Sequence, residues 1–556
     1  MNKHDRRTYF RVREILEIRL ILRESDTRKK KIFTGTAIDI GLAGLSVSTD
    51  HTLPRIDKGI IEISLPDPLE PVQARIKFKW GNDEKQQYGI EFIHSVDNQL
   101  GGWEKFIRSS NSSIPDRRGK EKNRRLSEEK PAEPVSDKNN RKMIRRITDL
   151  WHMEANNGKS ADLRKTDLVP KRKDIDYTVA AAKARREWLS AKTGVEFNHI
   201  GVFSENPKNL QGNIENFIGI TQVPIGVAGP LKINGQFAKG DFYIPLATTE
   251  GALVYTYSIG MQILHMSGGV TTRIIKDETH ISPLFTFNTL NQAHQFCYWL
   301  QANFELIKKH AEATTRYGKL LKIEPIIYDK NITVKFCYST GDAMGLNMIN
   351  FATEAACKFI VPIVKPKRFY MRSNFSSIKK ISAHNFSFGI GKSVICEAIV
   401  PNKIVKRIFE ITPKDITTYF HTAMLSSVNA GMIGMNGHVA NGLTALFIAC
   451  GQDVANVVDS HVGVSNFEET DGGDLYLSLK LPNLFVGTVG GGAELASQRE
   501  CLELIDCYGN GKVEKFSEIA AATSLAGELA VCANVANGKF VNAHRTYGRK
   551  QKRPIK

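Results

Sequence analysis

Glu250 stands inside the segment PLATTEGALV, which is otherwise apolar or small, and a carboxylate so placed seldom exists for packing alone. Leu246, Ala247, Ala252, Leu253 and Val254 flank it and would surround it with little water, so that it could hold a proton and donate it near neutral pH. General acid catalysis is the chemistry this suggests; the bland alternative is a buried carboxylate satisfied by hydrogen bonds. GDAMGLNM, Gly341 to Met348, sets Asp342 and Asn347 among small side chains, where backbone N–H groups can approach a pyrophosphate as at a helix N-terminus. GTVGGG, Gly487 to Gly492, is a second run whose amides could cradle an anion, or simply turn the chain. GIGKS, Gly389 to Ser393, imitates part of a nucleotide-binding loop without its upstream glycine and reads as a turn before the strand SVICEAIV. Charge handling around a carbonyl, with an anionic cofactor, is what these groups have in common.

The elements needed to position them are legible around each motif. ATTEGALVYTYSIGMQILHM and ATSLAGELAVCANVANGKFVNAH carry apolar residues at helical spacing, and ITVKFCYST and SVICEAIV alternate like strands. Short alternating segments with glycine turns near the start (EILEIRLIL, LSVST, KFKW, YGIEFIHSV) predict a small all-β barrel. Between the two, PDRRGKEKNRRLSEEKPAEPVSDKNNRK alternates in charge with too few large apolar residues to bury a core, and is expected to be a spacer, interrupted by the apolar island MIRRITDLWHM. The expected organisation is therefore 1–110, a β-barrel; 111–170, a charged linker; and 171–556, an α/β region, all within 556 residues.

Global properties narrow the partners. A net charge of +18 favours acidic ligands such as nucleotides and coenzyme A phosphates. No helix-turn-helix, zinc pattern or arginine–aromatic alternation turns that charge into a surface that reads nucleic-acid sequence, and no metal site is expected. The eight cysteines lack CxxC spacing and read as reduced thiols of a cytoplasmic protein. No run reaches the roughly 18 to 20 uninterrupted apolar residues of a membrane span, and MNKHDRRTYF lacks the apolar core of a signal peptide.

The segment ENFIGITQVPIGVAGPL followed by PLATTEG resembles hydroxymethylglutaryl-CoA reductase, of the class typified by eukaryotic and archaeal enzymes. The likeness continues through STGDAMGLNM, RSNFSSIKKISAHNFSFGIGKSVICEAIVP, NGHVANGLTALFIACGQD, GTVGGGAE and AGELAVCANVANGKFVNAH, over roughly residues 180 to 550. The resemblance implies a large, mostly helical domain with a central helix, a smaller cofactor domain inserted near 280–400, and an active site between two subunits of a homodimer or dimer of dimers. It implies NADPH as cofactor and two hydride transfers that take a thioester to an alcohol, with mevalonate as product. Carried over position by position, Lys379 stabilises the oxyanion, Glu250 protonates it, Asp453 tunes both, and His544 protonates the departing thiolate. Cofactor contacts fall on Asp342, Met344, Gly345, Asn347, Gly487, Gly490 and Gly491, and substrate contacts on Asn441, Lys380 and Arg372.

Departures from the family pattern cluster where the substrate's free carboxylate and its coenzyme A are held. Where the family reads DGMTRGP the chain reads DETHISP, so the carboxylate-gripping arginine has become Ile281. An expected lysine falls on His421, an expected serine and aspartate fall on Arg372 and Ile378, and expected basic residues fall on Ile259 and Gln262. Each lost charge-assisted contact is worth about 1.5 to 3 kcal/mol. Either Arg372, Arg273 or His280 supplies replacement charge, or the pocket takes another acyl-CoA.

The first 110 residues resemble the PilZ domain, a bacterial receptor for cyclic di-GMP. RRTYFRV supplies Arg6, Arg7 and Arg11 for forked contacts to guanine edges and phosphates, and DIGLAG supplies Asp39 and Gly44, with Gly41 where serine is expected. The missing hydroxyl removes one hydrogen bond, about 1 kcal/mol. Two functional classes follow: a reductase gated by cyclic di-GMP, or a signalling protein that keeps the reductase fold as a dinucleotide-responsive scaffold.

Overall fold

A computed structural model describes six strands between Leu16 and Ser95, residues 169–171 and residues 176–543. Arg6, Arg7, Arg11, nearly all of the linker and His544 lie outside the described residues. The chain divides into two compact units, Met1–Lys142 and Met143–Lys556.

In the first unit, β1 (Leu16–Arg23), β2 (Lys30–Gly41), β3 (Gly44–Thr49), β4 (Lys58–Ile63), β5 (Val72–Asn82) and β6 (Gln87–Ser95) close into an antiparallel barrel in the order β1-β2-β3-β6-β5-β4. Within DIGLAG, Gly41 at the end of β2 pairs with Gly44 at the start of β3, and Asp39 pairs with Ser46. A register shift between Ala37 and Asp39 marks a bulge just before the motif.

In the second unit, α1 (Val179–Thr193) precedes the hairpin of β7 (Ile225–Asn234) and β8 (Lys239–Ala247), and α2 (Leu253–Met266) follows it. A mixed-order antiparallel sheet then assembles from β9 (Thr271–Ile281), β10 (Leu284–Thr286), β11 (Lys319–Ile327), β12 (Asn331–Ser339), β13 (Arg368–Tyr370), β14 (Gly391–Val400), β15 (Val464–Glu469) and β16 (Leu475–Leu484). Its order is β13-β10-β12-β9-β14-β16-β15, with β11 also on β12. β9 joins the two halves, pairing Thr279–Ile281 with β12 and Thr271–Glu278 with β14.

Each half has its own hydrophobic core. One is built from Ile281, Phe285, Val334 and Phe336 against α3 (Leu290–Ala302), α4 (Phe304–Glu312) and α5 (Leu346–Val364). It draws in residues up to Ile378, while β14 faces the other core through Val394, Cys396 and Ala398, so the inserted body is shorter at its C-terminal end than the expected 280–400. β12 is buried on both faces, its polar Thr333 and Lys335 included.

The larger core is threaded by α9 (Val513–Ala536), whose small residues and absence of Pro suit a helix surrounded on all sides; α6 (Pro413–Asn429), α7 (Val439–Ala449), α8 (Val457–Ser460) and α10 (Phe540–Ala543) complete the set used below. Among the described residues α9 is the one helix long and apolar enough to cross a membrane, and it is buried inside the protein. Close approach sets its packing: a Cβ at Gly260 of α2 would stand 1.9 Å from the Ala526 carbonyl oxygen. Its N-terminus has no cap from its own sequence; the Asp342 carboxylate accepts from Lys512 N at 3.0 Å and Val513 N at 3.3 Å.

Candidate active site

β8 ends at Ala247, and the turn Thr248–Gly251, tied by a Glu250 N–H to Thr248 Oγ1 bond of 3.0 Å, delivers Glu250 to the start of α2. Asn441, in the first turn of α7, donates its amide to both Glu250 oxygens, at 2.9 and 3.1 Å. Glu250 is exposed, which corrects the expectation that its apolar neighbours enclose it. Leu246 and Leu253 point into the core; the turn between them turns the carboxylate out. The pair forms a shared wall of two cavities, one of about 250 Å³ bounded by His438, Val531, Asn534 and Phe540, the other of about 460 Å³ bounded by Val223, Thr248, Thr444 and Ile448. Phe540 belongs to α10, immediately before His544.

The turn that aims Asn441 is fixed from inside the core. Glu528 of α9 is buried, and burial pushes its carboxyl upward; it accepts from Gly437 N at 2.9 Å, His438 N at 2.5 Å and Ser465 Oγ at 2.8 Å. Tyr257 donates to the His438 carbonyl at 2.6 Å and stacks on its ring.

A second pair stands beyond the other end of α7. Lys379 Nζ meets Asp453 Oδ2 at 2.5 Å. The loop carrying Lys379 is left-handed at three non-glycine positions, Asn374, Ser377 and Lys379, with φ of 71°, 51° and 60°. Such residues cost about 1 kcal/mol or more each and persist where surroundings over-determine them. Here Ser373 N–H donates to Ser282 O at 2.8 Å, Ser376 Oγ to Ser282 Oγ at 3.1 Å, and Asn385 Nδ2 to Ser376 O at 3.0 Å. Asp459 of α8 accepts from the Lys379 N–H at 2.7 Å and the Lys380 N–H at 3.3 Å, and burial pushes it up to about 6. Sequence reasoning missed both Asp459 and Glu528.

The four expected catalytic residues thus fall into Glu250 with Asn441 and Lys379 with Asp453, while His544 lies outside the described residues. Asn441 and Ala449 alone are about 12 Å apart along α7, and no described hydrogen bond joins the pairs.

The expected cofactor residues divide by what holds them. Asp342 is committed to the α9 N-terminus, and its carbonyl accepts from Thr488 N at 2.8 Å. Gly487 is locked by Gln452 in two hydrogen bonds of 2.8 and 3.0 Å, and a Cβ there would lie 2.6 Å from Met344 N, so the two glycine-bearing loops touch backbone to backbone. Gly345, at φ 75°, starts α5 with no side-chain cap, leaving first-turn amides, Asn347's included, for an anion. Gly490 and Gly491 are left-handed with open space beside them.

Of the proposed replacement cations, two are corrected. His280 is buried, and burial together with the Lys335 ammonium pushes its imidazole down to about 3, so it is neutral. Arg273 is roughly 25 Å along β9 from Ile281 and donates to Thr272 O at 2.7 Å. Arg372 is exposed, and the neighbouring Ser373–Ser282 bond sets it beside the Ile281 end of β9. Ile281 is fully buried; Ile378 and Ile259 pack against the two cores; Gln262 donates to Gly229 O at 3.3 Å; His421 lies exposed on α6.

Known proteins supply the remaining evidence. The family model for hydroxymethylglutaryl-coenzyme A reductase matches residues 181–549, and that for the PilZ domain matches residues 5–108. A 3-hydroxy-3-methylglutaryl-coenzyme A reductase of Methanocaldococcus jannaschii is 42% identical over 377 residues, 66% of this chain and 93% of that protein. The enzyme of Pyrococcus horikoshii is 42% identical over 379 residues, covering 66% and 92%. Among solved structures, the class II enzyme of Streptococcus pneumoniae bound to NADPH in open conformations has 18% identity and a TM-score of 0.49, covering 65% of this chain and 86% of that one. With a family match spanning most of its length and archaeal relatives matched nearly end to end, the chain belongs to the hydroxymethylglutaryl-CoA reductase family, as an oxidoreductase that carries a PilZ domain ahead of its catalytic region.

Proposed function

We propose that the protein reduces hydroxymethylglutaryl-CoA to mevalonate with two NADPH, and that cyclic di-GMP bound to the PilZ domain adjusts the rate. The observation that carries this is the pairing of Lys379 with Asp453 at 2.5 Å, an ammonium held ready on a strained loop where an oxyanion needs it. Two hydrides and two protons convert the thioester to a primary alcohol and free coenzyme A, and NADPH when bound supplies the hydrides. Its phosphates would fit the first-turn amides at the uncapped start of α5, Asn347's included, whereas the Gly490 N–H is taken by the Glu494 carboxylate at 3.0 Å. Lys379 stabilises each oxyanion, Asp453 orients the ammonium, and Glu250, aimed by Asn441, delivers the proton. His544 serves the coenzyme A thiolate. Arg372 takes the distal carboxylate in place of the residue at Ile281.

The exposed Glu250 supports a homodimer or dimer of dimers, since a second subunit closing over it provides the dry surroundings that acid catalysis and oxyanion stabilisation require. Eight free cysteines, seven of them buried, support a reducing, cytoplasmic setting. NADPH oxidation driven by hydroxymethylglutaryl-CoA, lost in Glu250→Gln and altered by cyclic di-GMP in the full chain but not in an Arg7→Ala, Arg11→Ala variant, is the expected result. Tight dinucleotide binding with no turnover of any acyl-CoA would instead favour the scaffold reading.

A further inference from the structure

One short turn holds Lys379 at both ends. Asp453 meets its ammonium at 2.5 Å, and in α8, within the same turn, Asp459 accepts its amide at 2.7 Å together with that of Lys380 at 3.3 Å. Asp459 is buried, and Asn456 of the same turn donates to it at 3.1 Å. The Asp453 side chain in turn caps this turn by accepting from Ala455 N at 3.1 Å, so the two carboxylates share one rigid piece of backbone. Lys379 needs such a hold, because its φ of 60° is one that a lysine rarely adopts. Buried carboxylates that meet backbone N–H groups form strong, directional hydrogen bonds.

We infer that Asp459 is a positioning residue for the reductase reaction: by clamping the amides of Lys379 and Lys380 it keeps the loop left-handed and fixes the line along which the Lys379 ammonium reaches the reacting oxygen. Asp459 touches no reacting atom itself. The inference rests on the role proposed for Lys379, and its test separates the two.

The test uses the full chain with Asp459→Ala, Asp459→Asn and Asp459→Glu, followed by steady-state kinetics with hydroxymethylglutaryl-CoA and NADPH and by amide hydrogen exchange across residues 374–388. Asp459→Ala is expected to speed exchange at Lys379 and Lys380 and to lower kcat about tenfold or more, with KM for NADPH within about twofold of wild type. Asp459→Glu, which keeps the carboxylate, should recover part of kcat. Unchanged exchange at these two amides overturns the clamp; faster exchange with unchanged kcat overturns the positioning role. A wild-type chain that reduces no acyl-CoA would sink the reductase reading and with it the catalytic half of the inference, while exchange in Asp459→Ala still decides the clamp.

Discussion

Asn441 Nδ2 lies 2.9 Å from one carboxylate oxygen of Glu250 and 3.1 Å from the other, so a single amide spans the whole acid. That geometry sets the plane of the carboxylate, and with it the line along which Glu250 would hand over a proton. Because the donor sits in the first turn of α7, its direction is inherited from the Gly437–His438 turn that Glu528 grips.

Asn441→Ala is therefore expected to lower kcat by about ten- to a hundredfold, the equivalent of one charge-assisted hydrogen bond of roughly 1.5 to 3 kcal/mol. Asn441→Asp should be worse, since two facing carboxylates cannot both ionise freely. Steady-state kinetics, with circular dichroism to verify folding, checks both. An Asn441→Ala enzyme of wild-type kcat would remove Asn441 from the site.

Burial pushes Asp459 up to about 6, which makes its contribution to stability depend on pH in a definite direction. A carboxylate with a folded value above its unfolded one binds the proton more tightly when folded, so stability is greater below about 4 and is lost as pH rises through 6. The difference between about 4 and about 6 corresponds to a few kcal/mol, to order of magnitude. Asp459→Asn does not titrate. Relative to that variant, the wild-type denaturation midpoint should fall between pH 4.5 and pH 7 (roughly the window of this shift); parallel curves would show that Asp459 titrates normally.

Gly487 lies so close to Met344 that an added methyl would stand 2.6 Å from its backbone nitrogen. Gly487→Ala must separate the two loops that flank the start of α5, and the expected outcome is a KM for NADPH raised by about tenfold, with KM for the acyl-CoA nearly unchanged. Cofactor titration by fluorescence gives the same answer without turnover. Equal loss of both affinities would point to general misfolding instead.

How much of this was legible in the sequence depends on the distance over which each residue acts. Glu250, Lys379 and Asp453 stand in motifs because the catalytic roles proposed for them need particular residue types, and the helices and strands around them announce themselves by periodicity. Asp459 and Glu528 act on backbone amides 80 and 91 positions away, and an amide carries no side-chain identity that a pattern could record. Asp342 shows the same limit in reverse: its surroundings read as a phosphate loop, yet its carboxylate caps a helix 170 positions later. The exposure of Glu250 was misjudged because apolar neighbours in sequence turn inward at a strand-to-helix corner while the corner residue itself faces out.

The exchange between positions 281 and 372 gives the sharpest test of substrate choice. Ile281 is fully buried in the core shared with Phe285 and Phe336, so Ile281→Arg would bury an unpaired guanidinium and is expected to cost several kcal/mol, read as a lowered melting midpoint. Arg372 is exposed and held beside that end of β9 by the 2.8 Å bond from Ser373 N to Ser282 O, so it can meet an anion without that cost. Arg372→Ser should raise KM for hydroxymethylglutaryl-CoA about ten- to a hundredfold and leave KM for NADPH alone, as loss of a forked carboxylate contact predicts. Against an acyl-CoA lacking the distal carboxylate, wild type and Arg372→Ser should perform alike, because the guanidinium then has nothing to hold. If instead the variant loses activity equally toward both acyl-CoAs, Arg372 acts through the loop rather than through the substrate, and the carboxylate must be met by Lys380 or by a residue of a second subunit.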